Sequence, residues 1–306
     1  QRQMCIRDRM NLKQMIFKTM NFNSMKRIVL ALMLISVSMV SVQAQLLYKI
    51  SKDSTNLKPS YIMASNRLMN PMGVVSLSGE LKEALTNTDQ MYFEVNKAAY
   101  QETINDAKKL ADGKTLLSLL TPAQQTKLNA FLKKYMEVDF RSSYVQKKYG
   151  NLTPAALMED MEQLLFVANH MGMYDPTHTF DQYFEAQAKA NNETVGGLSD
   201  IDAYINATYK SDLKQQVARL VEFLENEPTE LAKLNKSVGA FKAQDVDVAA
   251  KATGAHVSQP TLEAWAAKVQ TVMAEKPTFF VVDAANLGGE NGLLQLLRNA
   301  GCKVEK

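Results

Sequence analysis

The hydrophobic pattern of this chain changes character at its start and again through its middle. From Ile28 to Val40 the chain is an apolar run broken only by Ser36 and Ser38. After Gln45 the apolar runs shorten to strand and helix lengths. Leu46 to Ile50 and Ser60 to Met63 read as two short strands, and the polar, turn-rich Lys52 to Pro59 between them permits a hairpin with a long loop. Ser78 is placed to cap a helix running through Leu85, and Gln90 to Val95, rich in aromatic and β-branched side chains, predicts a strand. The middle is helical. Thr121-Pro122-Ala123-Gln124 is a capping box with Pro at the first helical position, followed by Leu128, Phe131, Leu132, Tyr135 and Met136 at one-face spacing. Thr153-Pro154 opens a second helix with Leu157, Met161, Leu164, Leu165, Ala168 and Met171 on one stripe. Such Met-rich stripes are core rather than cofactor pockets.

Phe180 to Asn191 predicts another helix. Glu193 to Leu198 predicts a strand entering a loop that faces a site, and further helices continue to Ala252. Leu262, Trp265, Val269, Val272 and Met273 define a helix ending before Pro277. Thr278 to Val282 is a continuous apolar run, as in a strand buried on both faces. A helix over Gly292 to Ala300 and a last strand from Cys302 to Glu305 close the chain, and a strand–helix–strand ending predicts a right-handed crossover in a partly parallel sheet. The fold class expected is α/β (α+β): a mixed, partly parallel central sheet flanked by many helices.

The first 44 residues alter this picture. Met25-Lys26-Arg27, the apolar run and Ser41-Val42-Gln43-Ala44 follow the basic, apolar, small-residue order of a secretory signal peptide, with cleavage expected before Gln45. The apolar run is shorter than the roughly 18–20 residues that span a bilayer. Residues 1–24 have no pattern of any element and read as a non-native leader; Met10, Met15, Met20 and Met25 are all possible starts. The expected division is therefore 1–24 leader, 25–44 signal peptide and 45–306 a single domain, periplasmic or secreted, with no membrane span after signal removal. The leader region holds seven of the 35 basic residues and one of the 32 acidic ones, which leaves 28 basic against 31 acidic and a net charge of −3. No electrostatic footprint for nucleic acid remains. Cys302 is the lone thiol of the mature part, so an internal disulfide framework is excluded, and its setting is that of a small buried hydrophobe.

Common catalytic signatures are absent. There is no phosphate loop, dinucleotide fingerprint, Gly-x-Ser-x-Gly elbow or His-Glu-x-x-His helix. His170, His178 and His256 share no metal-ligand spacing and read as ordinary surface or core histidines.

Three segments nevertheless form a pattern: Leu47-Tyr48-Lys49-Ile50 with Ser60-Tyr61-Ile62-Met63-Ala64-Ser65-Asn66-Arg67; Glu83-Ala84-Leu85 through Asp89-Gln90-Met91-Tyr92-Phe93-Glu94-Val95-Asn96; and Phe279-Phe280-Val281-Val282-Asp283-Ala284-Ala285-Asn286-Leu287-Gly288-Gly289-Glu290-Asn291-Gly292-Leu293. Together, with weaker matches at Phe180-Asp181 and Val195-Gly196-Gly197-Leu198, they resemble the TraB/GumN family, which includes the Tiki-type metalloproteases. The resemblance implies that family's architecture, a functional Glu at Glu94 and a divalent metal held at the ends of the first and last motif strands. It also implies that Ala64, Asn66, Arg67, Asp283, Asn286, Gly288 and Gly289 occupy motif positions. The departures are at the chemistry. Arg67 and Asn286 stand where the family places its two histidines, and Ala64 and Asp283 stand where it has Gly. Ser199 replaces the Glu of a Gly-Leu-Glu segment, and Thr261-Leu262 replace an Arg-Asn pair.

Imidazole is the usual ligand for zinc-like ions, and Arg67 cannot ligate a metal because its guanidinium stays protonated. Arg67 is expected to pair with Glu94 and fill the site with a salt bridge. Three readings follow. One is a catalytically inactive member, with no metal cofactor, binding or assembling with a protein or peptide partner in the envelope. Another is a metal-dependent hydrolase or peptidase rebuilt on the oxygens of Glu94, Asp283 and Asn286, suited to Mg²⁺, Mn²⁺ or Ca²⁺. The third is a structural protein with a likeness of fold only.

Overall fold

Thr278–Asp283 is six residues with no exposed face, and the fold is arranged around it. In the computed structural model, which describes residues 46–52, 58–72, 74–75 and 79–306, this segment is a central strand. The expected leader, signal peptide and Gln45 terminus, and the expected cap Ser78, lie outside the described residues. The strands are β1 (Leu47–Ser51), β2 (Ser60–Ser65), β3 (Gln90–Phe93), β4 (Thr194–Gly197), β5 (Thr278–Asp283) and β6 (Lys303–Glu305), in the order β4-β3-β5-β2-β1-β6. β5 pairs parallel with both β2 and β3, β4 pairs parallel with β3, and β1 is antiparallel to β2 and to β6. β1 alone therefore opposes the common direction. Strands buried on both faces read as unbroken apolar runs, which is why Phe279, Phe280, Val281 and Val282 are all enclosed.

The hairpin of the first two strands and the partly parallel sheet match the apolar pattern. The last strand differs in position. β6 runs in the direction of β5 but lies at the sheet edge beside β1, separated from β5 by two strands, because the central places on either side of β5 are taken by β2 and β3.

The helices are α1 (Gly79–Thr86), α2 (Gln101–Ala107), α3 (Pro122–Met136), α4 (Ser143–Tyr149), α5 (Pro154–Asn169), α6 (Phe180–Ala190), α7 (Ile201–Thr208), α8 (Leu213–Glu225), α9 (Glu227–Lys242), α10 (Val246–Thr253), α11 (Gln259–Glu275), α12 (Ala284–Leu287) and α13 (Leu293–Asn299). α3 starts at the capping box seen in the sequence: Gln124 N donates to Thr121 Oγ1 and Thr121 N donates to Gln124 Oε1. The described residues form one compact unit with two principal cores. One lies on the sheet and includes Phe180, Phe184, Trp265 and Val269; Cys302 is buried in it. The other is helix on helix, from Leu132, Tyr149, Leu157, Met161, Leu165 and Leu220.

α5 faces two ways. Leu157, Met161 and Leu165 are buried in the helical core. Glu159 and Glu162, three residues apart and so on one side of the helix, reach polar partners in other elements. The expected apolar stripe does not extend to its end: α5 stops at Asn169, His170 leaves helical geometry, and Met171 beyond it is 88% exposed.

Truncation of Phe280 to Ala, at a fully buried central-strand position, is expected to cost about 3–5 kcal/mol, whereas Met171→Ala is expected to stay within about 0.5 kcal/mol. Urea denaturation of both variants checks the contrast.

Candidate functional site

Parallel pairing brings three strand ends to one edge of the sheet. The register sets Ser65 of β2 beside Asp283 of β5, and Phe93 of β3 beside Val281. Residues following those ends therefore meet at the carboxyl edge, where open α/β sheets hold their ligands. On the β2 side, Asn66 Oδ1 accepts from Leu68 N and Met69 N, so the chain turns at once and Arg67 stays at the edge.

The arrangement is a closed set of hydrogen bonds. Glu94 Oε1 accepts from Asp283 N at 3.0 Å and from Asn286 Nδ2 at 2.7 Å. Asp283 caps the one-turn α12 by accepting from Ala285 N at 2.9 Å through Oδ1, and its Oδ2 accepts from Arg67 N at 3.1 Å. Asn286 has no exposed surface; its Oδ1 accepts from His256 N at 2.8 Å. Asn286 therefore clips Glu94 to the loop between α10 and α11.

The geometry corrects the expected Arg67–Glu94 pair. The Arg67 guanidinium instead meets Glu162 of α5 at 2.5 Å, while Glu94 keeps Oε1 for two other donors. His256 also lies near these groups. Its sequence neighbourhood carries no signal, yet its Nε2 stands 3.9 Å from Asp283 Oδ1. Only the tertiary clip through Asn286 brings it there.

Burial pushes Glu94 up from 4.5 to about 7, helped by the Asp283 carboxylate and opposed by the Asn286 and Asp283 donors. Burial holds His256 below its ordinary value, with the Arg67 charge adding to that effect. Asp181 of α6 is raised by burial and by Asp283, with Lys97 acting against it. Arg67, Lys97 and His256 are all exposed. α5 contributes further carboxylates. Glu159 Oε2 pairs with Lys108 at 2.9 Å, and Tyr209 Oη donates to Glu159 Oε1 at 2.8 Å.

Other motif positions are packing positions. Ala64 is buried within β2. A Cβ on Gly288 would meet Val246 O at 2.5 Å, and Gly289 has φ +82° and donates its N–H to Asp247. Thr261 N is capped by Ser258 at the start of α11, and Leu262 is core. Ser199 N donates to Glu94 O and Ser199 Oγ accepts from Trp265 Nε1 at 2.7 Å, so the β4 loop does reach the site.

A transition metal does not fit this donor set. The single imidazole has no second nitrogen donor near it, Arg67 adds a fixed positive charge, and Glu94 Oε1, both Asp283 oxygens and the Asn286 amide oxygen already accept protein N–H groups. Among the described residues, no group of three or more His, Cys, Asp or Glu is placed to hold a metal ion.

The model of the TraB/PrgY/gumN family matches residues 46–306, and the chain belongs to that family. No curated protein and no solved structure matches it. Among the described residues, no helix is long and apolar enough to cross a membrane.

The raised Glu94 carboxyl gives a pH signature. Its folded value near 7 exceeds its unfolded value near 4.5, so the folded state loses stability as the pH rises from about 4.5 to about 7. Glu94→Gln can still present an oxygen to Asp283 N and Asn286 Nδ2, and is expected to lack this loss; thermal melts of both proteins across that range test it. Asn286→Ala leaves the His256 N–H without its acceptor and Glu94 without one of its two donors, and is expected to cost about 1–3 kcal/mol in urea denaturation.

Proposed function

We propose that this TraB/PrgY/gumN-family chain is an exported protein whose family metal site has become a metal-free structural hub, and that it acts by binding or assembling with a protein or peptide partner in the cell envelope. The observation that carries the reading is Asn286. An enclosed amide stands where the resemblance implies a metal-binding imidazole, and it spends its Nδ2 on Glu94 and its Oδ1 on the His256 loop. Arg67, at the other such position, turns to α5. These contacts let Glu94 and Asp283 stay in place with no ion. Export rests on the order of basic, apolar and small residues before Gln45. A mature terminus at Gln45, read by N-terminal sequencing of envelope material, supports it; retention of Met25 removes it.

A second reading has one observation in its favour. A carboxyl pushed to about 7 is what an acid–base catalyst needs, so a hydrolase rebuilt on Glu94 and Asp283 oxygens is the alternative. Elemental analysis of the purified mature chain, with thermal shift against Zn²⁺, Co²⁺, Mn²⁺ and Ca²⁺, separates the two. No bound metal and no shift is expected. The paired substitution Arg67→His with Asn286→His is expected to gain stabilisation by zinc. Stoichiometric zinc in the unaltered protein that disappears in Glu94→Ala returns the chain to the hydrolases.

A further inference from the structure

β4 is the end strand of the sheet. Among the described residues it pairs only with β3, and its four residues are exposed or half-buried. An edge of this kind offers main-chain N–H and C=O groups to another extended chain. The carboxyl end of β4 borders a cavity of about 240 Å³ whose walls include Tyr92, Asn96, Tyr100, Ser199, Asp200 and Lys268. Glu94, Asp283, Asn286 and Arg67 are not among its walls.

The walls are held in place by contacts across four elements. The Tyr92 ring lies against Gly196, where a Cβ would meet the ring at 2.5 Å, so the aromatic wall exists because β4 has no side chain there. Asn96 Nδ2 donates to Val195 O at 3.3 Å and ties the turn after β3 to β4. Ser199 Oγ accepts from Trp265 Nε1 at 2.7 Å, which leaves its own hydroxyl proton for another acceptor. Lys268 is three residues on from Trp265 and so on the same side of α11, and its ammonium stands 3.9 Å from Asp200 Oδ1.

Two opposite charges meet at this cavity, and one is the more enclosed. The Lys268 side chain keeps 37% of its surface and the Asp200 side chain 89%. Their separation is beyond hydrogen-bonding reach, and a pair so exposed holds little energy. An entering carboxylate therefore finds an ammonium in the wall, with the hydroxyl donors of Ser199, Tyr92 and Tyr100 among the lining residues, while Asp200 can turn to solvent. The direction of β4 selects which carboxylate. A chain added parallel to β4, as β3 already is, runs toward the cavity. It has to stop there, because the protein beyond β4 turns into α7, whose first residue Ile201 also lines the cavity. The group delivered is the carboxyl terminus.

We propose that the β4 edge and this cavity receive the free carboxyl terminus of an extended partner peptide. The peptide adds to the sheet beside β4, and its terminal carboxylate meets Lys268 and the neighbouring hydroxyls. The proposal rests on the binding reading above and names the partner's class and its place of docking.

The test uses the full mature chain and fluorescein-labelled octapeptides with free carboxyl ends, randomised over their last four residues. Peptides retained on the immobilised protein are sequenced and remade singly, and affinity is read by fluorescence anisotropy. Binding is expected to weaken at least about tenfold when the carboxyl end is amidated, and by a similar factor in Lys268→Ala. Lys268→Arg is expected to keep most of the affinity, Tyr100→Ala to weaken it, and Asp200→Asn to leave it equal or tighter. Methylation of alternate peptide nitrogens is expected to abolish binding in one of the two sets only, as a strand-edge ladder requires. Thermal melts confirm that each variant is folded. No retained peptide, indifference to amidation, or unchanged affinity in folded Lys268→Ala overturns the proposal. Binding that persists in Lys268→Ala but is lost in Arg67→Ala also overturns it, while leaving the broader binding reading in place; that reading fails separately, through metal bound by the unaltered protein.

Discussion

The parallel pairing of β5 with β2 on one side and β3 on the other is the constraint from which the site follows. Residues far apart in sequence reach one edge only because the three strands share a direction and a register, with Ser65 against Asp283 and Phe93 against Val281. A slip of one residue would turn every β5 side chain to the opposite face. It would also take Asp283 N away from Glu94, and with it the link between the two halves of the sheet edge. The wholly apolar core of β5, packed on both faces, makes that slip costly.

At that edge the molecule solves an electrostatic problem with its own groups. Carboxylates are expensive to gather at a partly enclosed site unless donors or cations compensate them. Here the compensation comes from main-chain N–H groups at Asp283, Arg67 and Ala285 and from the buried Asn286 amide. The helical layer takes part as well. α5 buries Leu157, Met161 and Leu165 in its own core while its opposite side carries Glu162 to Arg67 and Glu159 to Lys108 and Tyr209. The same helix therefore joins packing on one side to ion pairs with Arg67 and Lys108 on the other.

Membership of the TraB/PrgY/gumN family and the contacts at its motif positions have to be weighed together. The strand ends converge, and the side chains presented there hold one another. Gly288 and Gly289 keep a purely steric task, one allowing α12 to approach Val246 and the other adopting φ +82°. Function in such a case is argued from the site, since the fold supports more than one.

Much of the architecture could be read from the order of residues. The capping boxes, the apolar stripes and the unbroken run of β5 are local, and local patterns constrain local geometry through the backbone period and the need to bury apolar surface. The resemblance at three separated segments also placed Glu94, Arg67, Asp283 and Asn286 near one another, and the sheet register brings them together. What the sequence could not settle was which partner each polar group chooses. Arg67 was expected on Glu94 and lies on Glu162; His256 had no visible link to the site and stands beside Asp283. These choices depend on directions and distances across elements far apart in the chain, and on how far each group is desolvated there. Side-chain identity along the chain sets which elements form; only the packed structure decides which charges face each other, because electrostatic partners are selected by position in space.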